Sequence, residues 1–557
     1  MKFNFSGKKL TGSERAIQRF FEILPGATSW FILIGMTLLS FWNPILAAVL
    51  IIAFDFFWIL RLFFMTLFLV ISYFRLSLEK ETDWMARLHG LNHLTDALTF
   101  LNKDFGTRSL PQKISSWIHR KEMTELQRSG ASVPDFKKII HLVLIPIVRE
   151  TPEILRDSIS SFLNGYFPSE QILVVIALEE RATEDVKAGA QQMAREFEGK
   201  FFDFKVILHP NHIPGEARVK GANVTYAARE MTRYFEQKEI LFDRVIVSCF
   251  DADTVVDAHY FGCLTYQYMV CPKRERASFQ PIPVYHNNIW KVPGFVRVLE
   301  TGSSFFQLVE STDPEKLVTF SSHSMSFRAL VEADYWPVDM ISDDSAIFWK
   351  CYIHYDGDYR VVPLYVTVSM DVADAGNWWK TIVNVYRQKR RWAWGVENFP
   401  IVMRAFLQAK KIPFSEKMGH GVKLFEMHVA WATWAFLLSV IGWLPALFAG
   451  REFSHSVLYY STPRITAIIF GFSTCALVVT IIMSLWLLPK REKRDSVFRR
   501  LGFALQWVFV PGIFTFLSTL PALEAQTRLM LGAYMEKWGT DTMQRPAVFS
   551  SPAPGKQ

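Results

Sequence analysis

Cysteine is scarce and carries no spacing signal. The chain of 557 residues has 5 cysteines (Cys249, Cys263, Cys271, Cys351 and Cys475), and none forms a CxxC pair. That argues against a disulfide framework and a thiolate zinc site, and a reducing compartment fits the soluble part. Close-spaced histidines such as HxxxH are missing too, and His209, His212 and His286 read as polar loop residues. No basic-aromatic recognition module is present, so the net charge of +8 does not point to nucleic acid. No cleavable signal is expected. The first apolar run, behind Lys8, Lys9, Arg15 and Arg19, is too long for a signal core. No internal repeat is visible.

Charge is missing over long stretches. From Ser29 to Phe74 only Asp55 and Arg61 are charged. A span needs about 20 apolar residues, so two fit here. A break near Asp55 divides the stretch most evenly, with Pro44 as a kink and Arg61 snorkelling at the far interface. Three more apolar runs follow, Leu424 to Ala449, Ile465 to Leu488 and Leu501 to Leu520. The last contains Pro511-Gly512 and either spans or re-enters. The loop PKREKRDSVFRR between the final two runs is rich in Lys and Arg, which places it in the cytoplasm. The basic N-terminus falls on the same side, and two spans return the chain there, so the polar middle is cytoplasmic.

The expected layout is a cytoplasmic N-terminal segment over 1–28, two transmembrane helices over 29–75 and a juxtamembrane helical linker over 76–137. A soluble α/β domain occupies 138–400, an interfacial helix 401–423, about three transmembrane or re-entrant helices 424–522, and a tail 523–557. Within the soluble domain KIIHLVLIPI, QILVVIAL, FDFKVILHP and RVIVSCF read as strands separated by amphipathic stretches. That alternation predicts an α/β sheet with parallel strands.

Three constellations carry chemistry. SCFDADTVVD ends a strand-like run with Asp251 and Asp253. On an extended segment these face one side, and two hard oxygen donors suit Mg²⁺ or Mn²⁺. A solvated turn is the bland alternative. ISDD supplies Asp343 and Asp344 before AIFWK. This pattern caps a helix, with Ser342 or Asp343 as cap, and equally offers Asp344 as a general base. QKRRWAW holds Gln388, Arg391 and Trp392 just before the membrane returns. It reads either as an interfacial amphipathic helix or as a site where Arg391 neutralises diphosphate and an indole stacks on a sugar ring.

In that order (DxD, acidic pair, QxxRW, membrane spans) the motifs resemble the membrane-integrated family-2 glycosyltransferases, the group of cellulose, chitin and hyaluronan synthases. The resemblance covers about residues 138–400 and the general membrane layout. It implies a GT-A fold, a Rossmann-like mixed sheet inserted between about five membrane spans, and an inverting reaction that uses a nucleotide sugar, UDP-linked by resemblance.

The family pattern implies roles for individual residues. Asp251 and Asp253 would hold Mg²⁺ or Mn²⁺, and Asp344 would deprotonate the acceptor hydroxyl. Pro146, Glu150, Glu179, Lys220, Asp251, Gln388, Arg391 and Trp392 would contact the nucleotide sugar. Gln280, Arg328 and Asp343 would line the acceptor side. Arg149 stands where the family's opening loop has Asn, and Glu179 or Glu180 where it has a base-contacting Asp. Asn223 would fix the Lys-x-x-x-Asn segment. The gating pattern after the motifs is at most echoed by YMEKWGTDTM.

The expected activity is therefore polysaccharide synthesis at the plasma or inner membrane, with the catalytic domain cytoplasmic. Single-step transfer to a lipid-linked or cell-surface glycan is the alternative. A non-catalytic scaffold or transporter is disfavoured, because the key acids and Arg391 are all retained and few charges lie in the spans.

Overall fold

A computed structural model describes residues 3–7, 10–91, 110–131, 133–448, 457–489 and 502–535. The basic loop, most of the YMEKWGTDTM segment and the second half of the linker's helical pattern lie outside these residues.

The soluble domain is built on one eight-stranded sheet of order β3-β2-β1-β4-β7-β6-β8-β5. Its first half joins β1 (Ile140–Ile147), β2 (Ile172–Glu179), β3 (Asp203–His209) and β4 (Val245–Cys249), all parallel. These are the four strands expected from the sequence. Their Val/Ile/Leu runs suit a sheet covered on both faces, and every residue of β2 and β4 is buried. β7 (Ser324–Ser326) pairs antiparallel with β4 and with β6 (Ala277–Val284). β8 (Arg360–Ser369) runs parallel to β6, and β5 (Val255–Val256) closes the edge antiparallel to β8.

Strand order reverses at β1, which lies between β2 and β4. A crevice opens there at the strands' carboxyl ends, as expected for open α/β sheets. The sheet is mixed, with helices packed against its strands.

Two long helices precede the sheet, Gly12–Trp42 and Pro44–Lys80. They divide at Asn43, not near Asp55. Asn43 accepts a hydrogen bond from the Leu46 amide and Pro44 takes the first turn of the second helix, so this is a break with a built cap. Hydropathy alone disfavours that break because the apolar part of the first helix is then short. The helix makes up its length by continuing back through polar residues to Gly12. These bury Gln18 beside Arg404 and Glu22 beside Arg19 and Tyr534, and Arg19 donates to the carbonyls of Leu529 and Met530.

The terminal helix likewise runs on to Met530, past the tail boundary expected at 522. The single interfacial helix expected over 401–423 is instead the end of Asn398–Gln408 and the start of Phe414–Ser439.

Among the described residues three helices are long and apolar enough to cross a membrane, Gly12–Trp42, Pro44–Lys80 and Gly502–Met530. The bent pair Phe414–Ser439 and Ile441–Phe448 makes a fourth if it counts as one span. The remaining apolar run lies in helix Val457–Leu487. Phe31, Phe41 and Trp42 are 78%, 72% and 88% exposed, surface that lipid and not water would cover.

Candidate active site

The crevice beyond β1 and β4 opens into a cavity of about 1380 Å³. Its walls include Pro146 and Glu150 after β1, Glu179 at the end of β2, Asp251 and Asp253 after β4, and Asp343 and Asp344. They also include Gln388, Arg391 and Trp392, and the cavity continues to Trp58, Trp431 and Trp434 on apolar helices.

The aspartates of DADT do not continue the strand. β4 ends at Cys249, and Asp251 to Thr254 form a turn closed by the Thr254 amide donating to the Asp251 carbonyl at 2.9 Å. The expected same-side placement therefore does not arise from strand alternation. Both residues still line the cleft. The backbone amide of Asp371 donates to Asp253 Oδ2 at 2.8 Å, and the Ser321 hydroxyl donates to Asp251 Oδ2.

Lys220 opens helix Lys220–Gln237 and bridges the first two motifs. Its Nζ lies 2.9 Å from Asp251 Oδ1 and 2.9 Å from Asp344 Oδ1. Burial lowers the Lys220 pKa, but the two carboxylates outweigh it and hold the ammonium well above the ordinary lysine range. Burial likewise raises Asp251, and Lys220, Ser321 and Arg391 reverse that and hold it at about 2. Next along the helix, Gly221 brings the backbone close. A Cβ there would stand 2.3 Å from the Pro337 carbonyl oxygen. Asn223 donates to the carbonyl of Ala177 at 2.7 Å and ties the helix to β2.

Asp343 and Asp344 begin helix Asp343–His354. The Ser342 hydroxyl does not cap it. Instead it donates to Glu397 at 2.7 Å, because Glu397 also takes the Ser342 amide. Asp343 is only 2% exposed, and burial followed by the charge of Asp344 raises it well above the carboxylate range. Asp344 reaches the cavity. His323, fully buried, donates toward the Phe320 carbonyl and sits 3.8 Å from Asp344. Burial lowers its pKa and keeps the imidazole neutral.

The remaining residues fall into three groups. Glu150 accepts from the amides of Val148 and Arg149 at 2.6 and 2.9 Å and shapes the loop after β1. Glu179 is paired with Arg181 at the cleft wall. Gln388, Arg391 and Trp392 lie on helix Trp378–Ala393, anchored by Arg390 to Glu524 at 2.7 Å on the terminal helix.

Two expected acceptor residues lie elsewhere, and neither lines the cavity. Gln280 is buried in β6 and accepts from the Phe320 amide at 2.7 Å. Arg328 is on the outer surface, 2.8 Å from Glu275 and 2.9 Å from Glu332. Gln280 occupies a strand position whose side chain points into the domain, and the helix that starts at Phe327 turns Arg328 to solvent.

Sequence reasoning missed Ser321, His323 and Arg218. They lie in segments that resemble the family's, GEARVKGANVTYAARE and SSHSMSFRAL, but no residue type or spacing there marks them for the site. Arg149 and Arg218 line the cavity, and neither side chain has a hydrogen-bond or ion-pair partner among the described residues.

The donors present fit a hydrated hard cation. Asp251 and Asp253 offer oxygen, and among the described residues no third acid, His or Cys completes a protein cage. Water and phosphate oxygens would fill the rest of such a shell. The Lys220 ammonium between Asp251 and Asp344 shows that this point favours positive charge.

Comparison with known proteins follows the same line. Residues 246–490 match the family described as Glycosyl transferase family group 2. A poly-beta-1,6-N-acetyl-D-glucosamine synthase of Staphylococcus epidermidis is 22% identical over 352 residues, 62% of this chain and 74% of that one. Two solved structures are also similar. The mannosyltransferase PcManGT from Pyrobaculum calidifontis, in complex with GDP-Man and Mn²⁺, has a TM-score of 0.40 and 14% identity, covering 66% of this chain and 94% of that one. TarS residues 1–349 of S. aureus has a TM-score of 0.33 and 12% identity, covering 72% and 92%. The middle of the chain is thus similar to glycosyltransferases over residues 246–490. The family matched is Glycosyl transferase family group 2, and the matched segment lies among long apolar helices.

Proposed function

We propose that this protein transfers a sugar from a nucleotide-sugar donor, UDP-linked, to a glycan acceptor with inversion, and so builds a polysaccharide at the cell membrane. The catalytic domain faces the cytoplasm. The observation that carries this reading is the convergence of Asp251, Lys220 and Asp344 in one cleft that continues toward apolar helices.

In this scheme Asp344 takes the proton from the acceptor hydroxyl. The hydroxyl oxygen bonds to the anomeric carbon as the bond to the diphosphate breaks. Arg391 and Lys220 meet the negative charge that develops on the leaving group. Mg²⁺ or Mn²⁺, held by Asp251 and Asp253, supplies Lewis-acid stabilisation to that diphosphate when bound. Trp392 gives the sugar a stacking surface. Asp343, buried behind Asp344, supports the base; the carboxyl offered to the acceptor is that of Asp344.

The test incubates the purified full chain in detergent with a panel of nucleotide sugars and either cation, and measures release of nucleoside diphosphate. One donor is expected to react, and Asp344→Asn to lower turnover by about 10²- to 10⁴-fold. Equal turnover in both proteins refutes the assignment of the base. Sizing the product separates polymer synthesis from single-step transfer to a lipid-linked acceptor.

A further inference from the structure

Behind Trp392 lies a buried ion pair that the reaction scheme does not use. Glu300, on helix Gly294–Glu310, and Lys389 have side chains 1% and 3% exposed and meet at 2.8 Å. Lys389 also donates to the Ser303 hydroxyl at 2.9 Å. Its ammonium stands 3.7 Å from the centre of the Trp392 ring. Tyr285, at the mouth of β6, places its own ring centre 6.0 Å from that indole, and both rings line the cavity.

Burying a lysine and a glutamate together is costly, and a well-packed apolar pair usually serves stability as well or better. The pair therefore calls for a use beyond stability. A cation so close to an indole face, and away from bulk water, is a directional contact that favours one ring position. Helix Gly294–Glu310 packs against Pro44–Lys80, which gives Glu300 a rigid base.

We infer that the Glu300–Lys389 pair positions Trp392, holding the indole at the orientation in which it receives a sugar ring in the cleft. This inference rests on the proposed glycosyl transfer. Glu300 lies outside the cavity lining and Lys389 at its wall, and in this proposal both act through the tryptophan. Loss of the pair should therefore change how well sugar binds more than how fast bound sugar reacts.

The test compares the full-length protein with Lys389→Met/Glu300→Met, which removes both charges at similar volume, and with Lys389→Arg, which keeps a cation over the ring. Thermal unfolding, the donor KM, the acceptor KM and kcat are measured for each. The double variant is expected to unfold near the native temperature, with one sugar KM raised about 10-fold and kcat within about 3-fold. Lys389→Arg should recover much of that KM. Indole fluorescence, compared against a Trp392→Phe background, should shift in the double variant.

Unchanged KM values overturn the inference, as does a fall in kcat and folded fraction with no change in either KM. If the native protein turns over no nucleotide sugar, the functional reading itself fails. That result differs from a native enzyme whose KM values ignore the pair.

Discussion

The Lys220 ammonium lies 2.9 Å from Oδ1 of Asp344, although 124 positions separate the two in the chain. The same nitrogen contacts Asp251. One cation thus joins the acids expected to serve the leaving group with the acid expected to serve the nucleophile. Without a cation between them, the acids would repel each other.

Lys220→Met should therefore raise the donor KM and lower kcat/KM by about 100-fold or more, a loss of about 3 kcal/mol. Lys220→Arg should not restore activity, because a planar fork does not replace a compact ammonium. Initial rates over a donor series check both. Stability gives a second readout. Asp251 sits at about 2 in the fold and the ordinary aspartate value is 3.8, so its contribution is present above pH 4 and fades as pH falls through 2. Unfolding followed from pH 5 to pH 2 should show a shallower loss in Lys220→Met than in the native protein.

Gly221→Ala tests the close approach beside that lysine. The added methyl would meet the backbone oxygen of Pro337 at 2.3 Å and Asp343 Cβ at 3.0 Å, so helix Lys220–Gln237 must shift. A destabilisation of about 1–3 kcal/mol and a larger loss of transfer are expected. Gly395→Ala, where a Cβ meets nothing within 4 Å, should be tolerated. Thermal unfolding of the two variants side by side gives the comparison.

Asp343→Asn addresses a buried acid. The folded pKa of Asp343 is raised, so the protonated form favours folding below the ordinary carboxylate value, and stability falls as pH rises toward the folded pKa. Removing the charge should leave stability near pH 4 unchanged and raise it near pH 8. If the variant loses stability equally at both values, a hydrogen bond and not charge dominates at this position.

Arg149→Ala and Arg218→Ala should each raise the donor KM several-fold and weaken its dependence on salt. Both arginines line the cavity and neither guanidinium has a partner among the described residues, so each is available to an anionic ligand. A KM series across ionic strength distinguishes this from a fold defect, which would lower kcat at every salt concentration.

Much of this molecule was legible in the amino-acid order. The four parallel strands announce themselves as continuous β-branched runs, because a sheet covered on both faces demands apolar side chains at every position. Asp251, Asp344 and Arg391 were legible because their motifs keep chemistry within a few residues. Gln280 and Arg328 were misplaced because resemblance places a segment in the domain without setting each side chain's direction. The Asp55 break failed for a related reason. Hydropathy counts apolar length, and the first helix extends through Gln18 and Glu22 by pairing them with Arg404 and Tyr534 from distant segments.

The sequence by itself determined the four parallel strands, the long apolar helices on either side of them, and the acids and arginine that line one cavity. These properties follow from composition, period and short spacing. Only the tertiary structure decided that Lys220 stands between Asp251 and Asp344, that Ser321 and His323 attend them, and that Glu300 pairs with the lysine beside Trp392. Those pairings join distant segments across the sheet and between helices, and each depends on packing that no local pattern encodes.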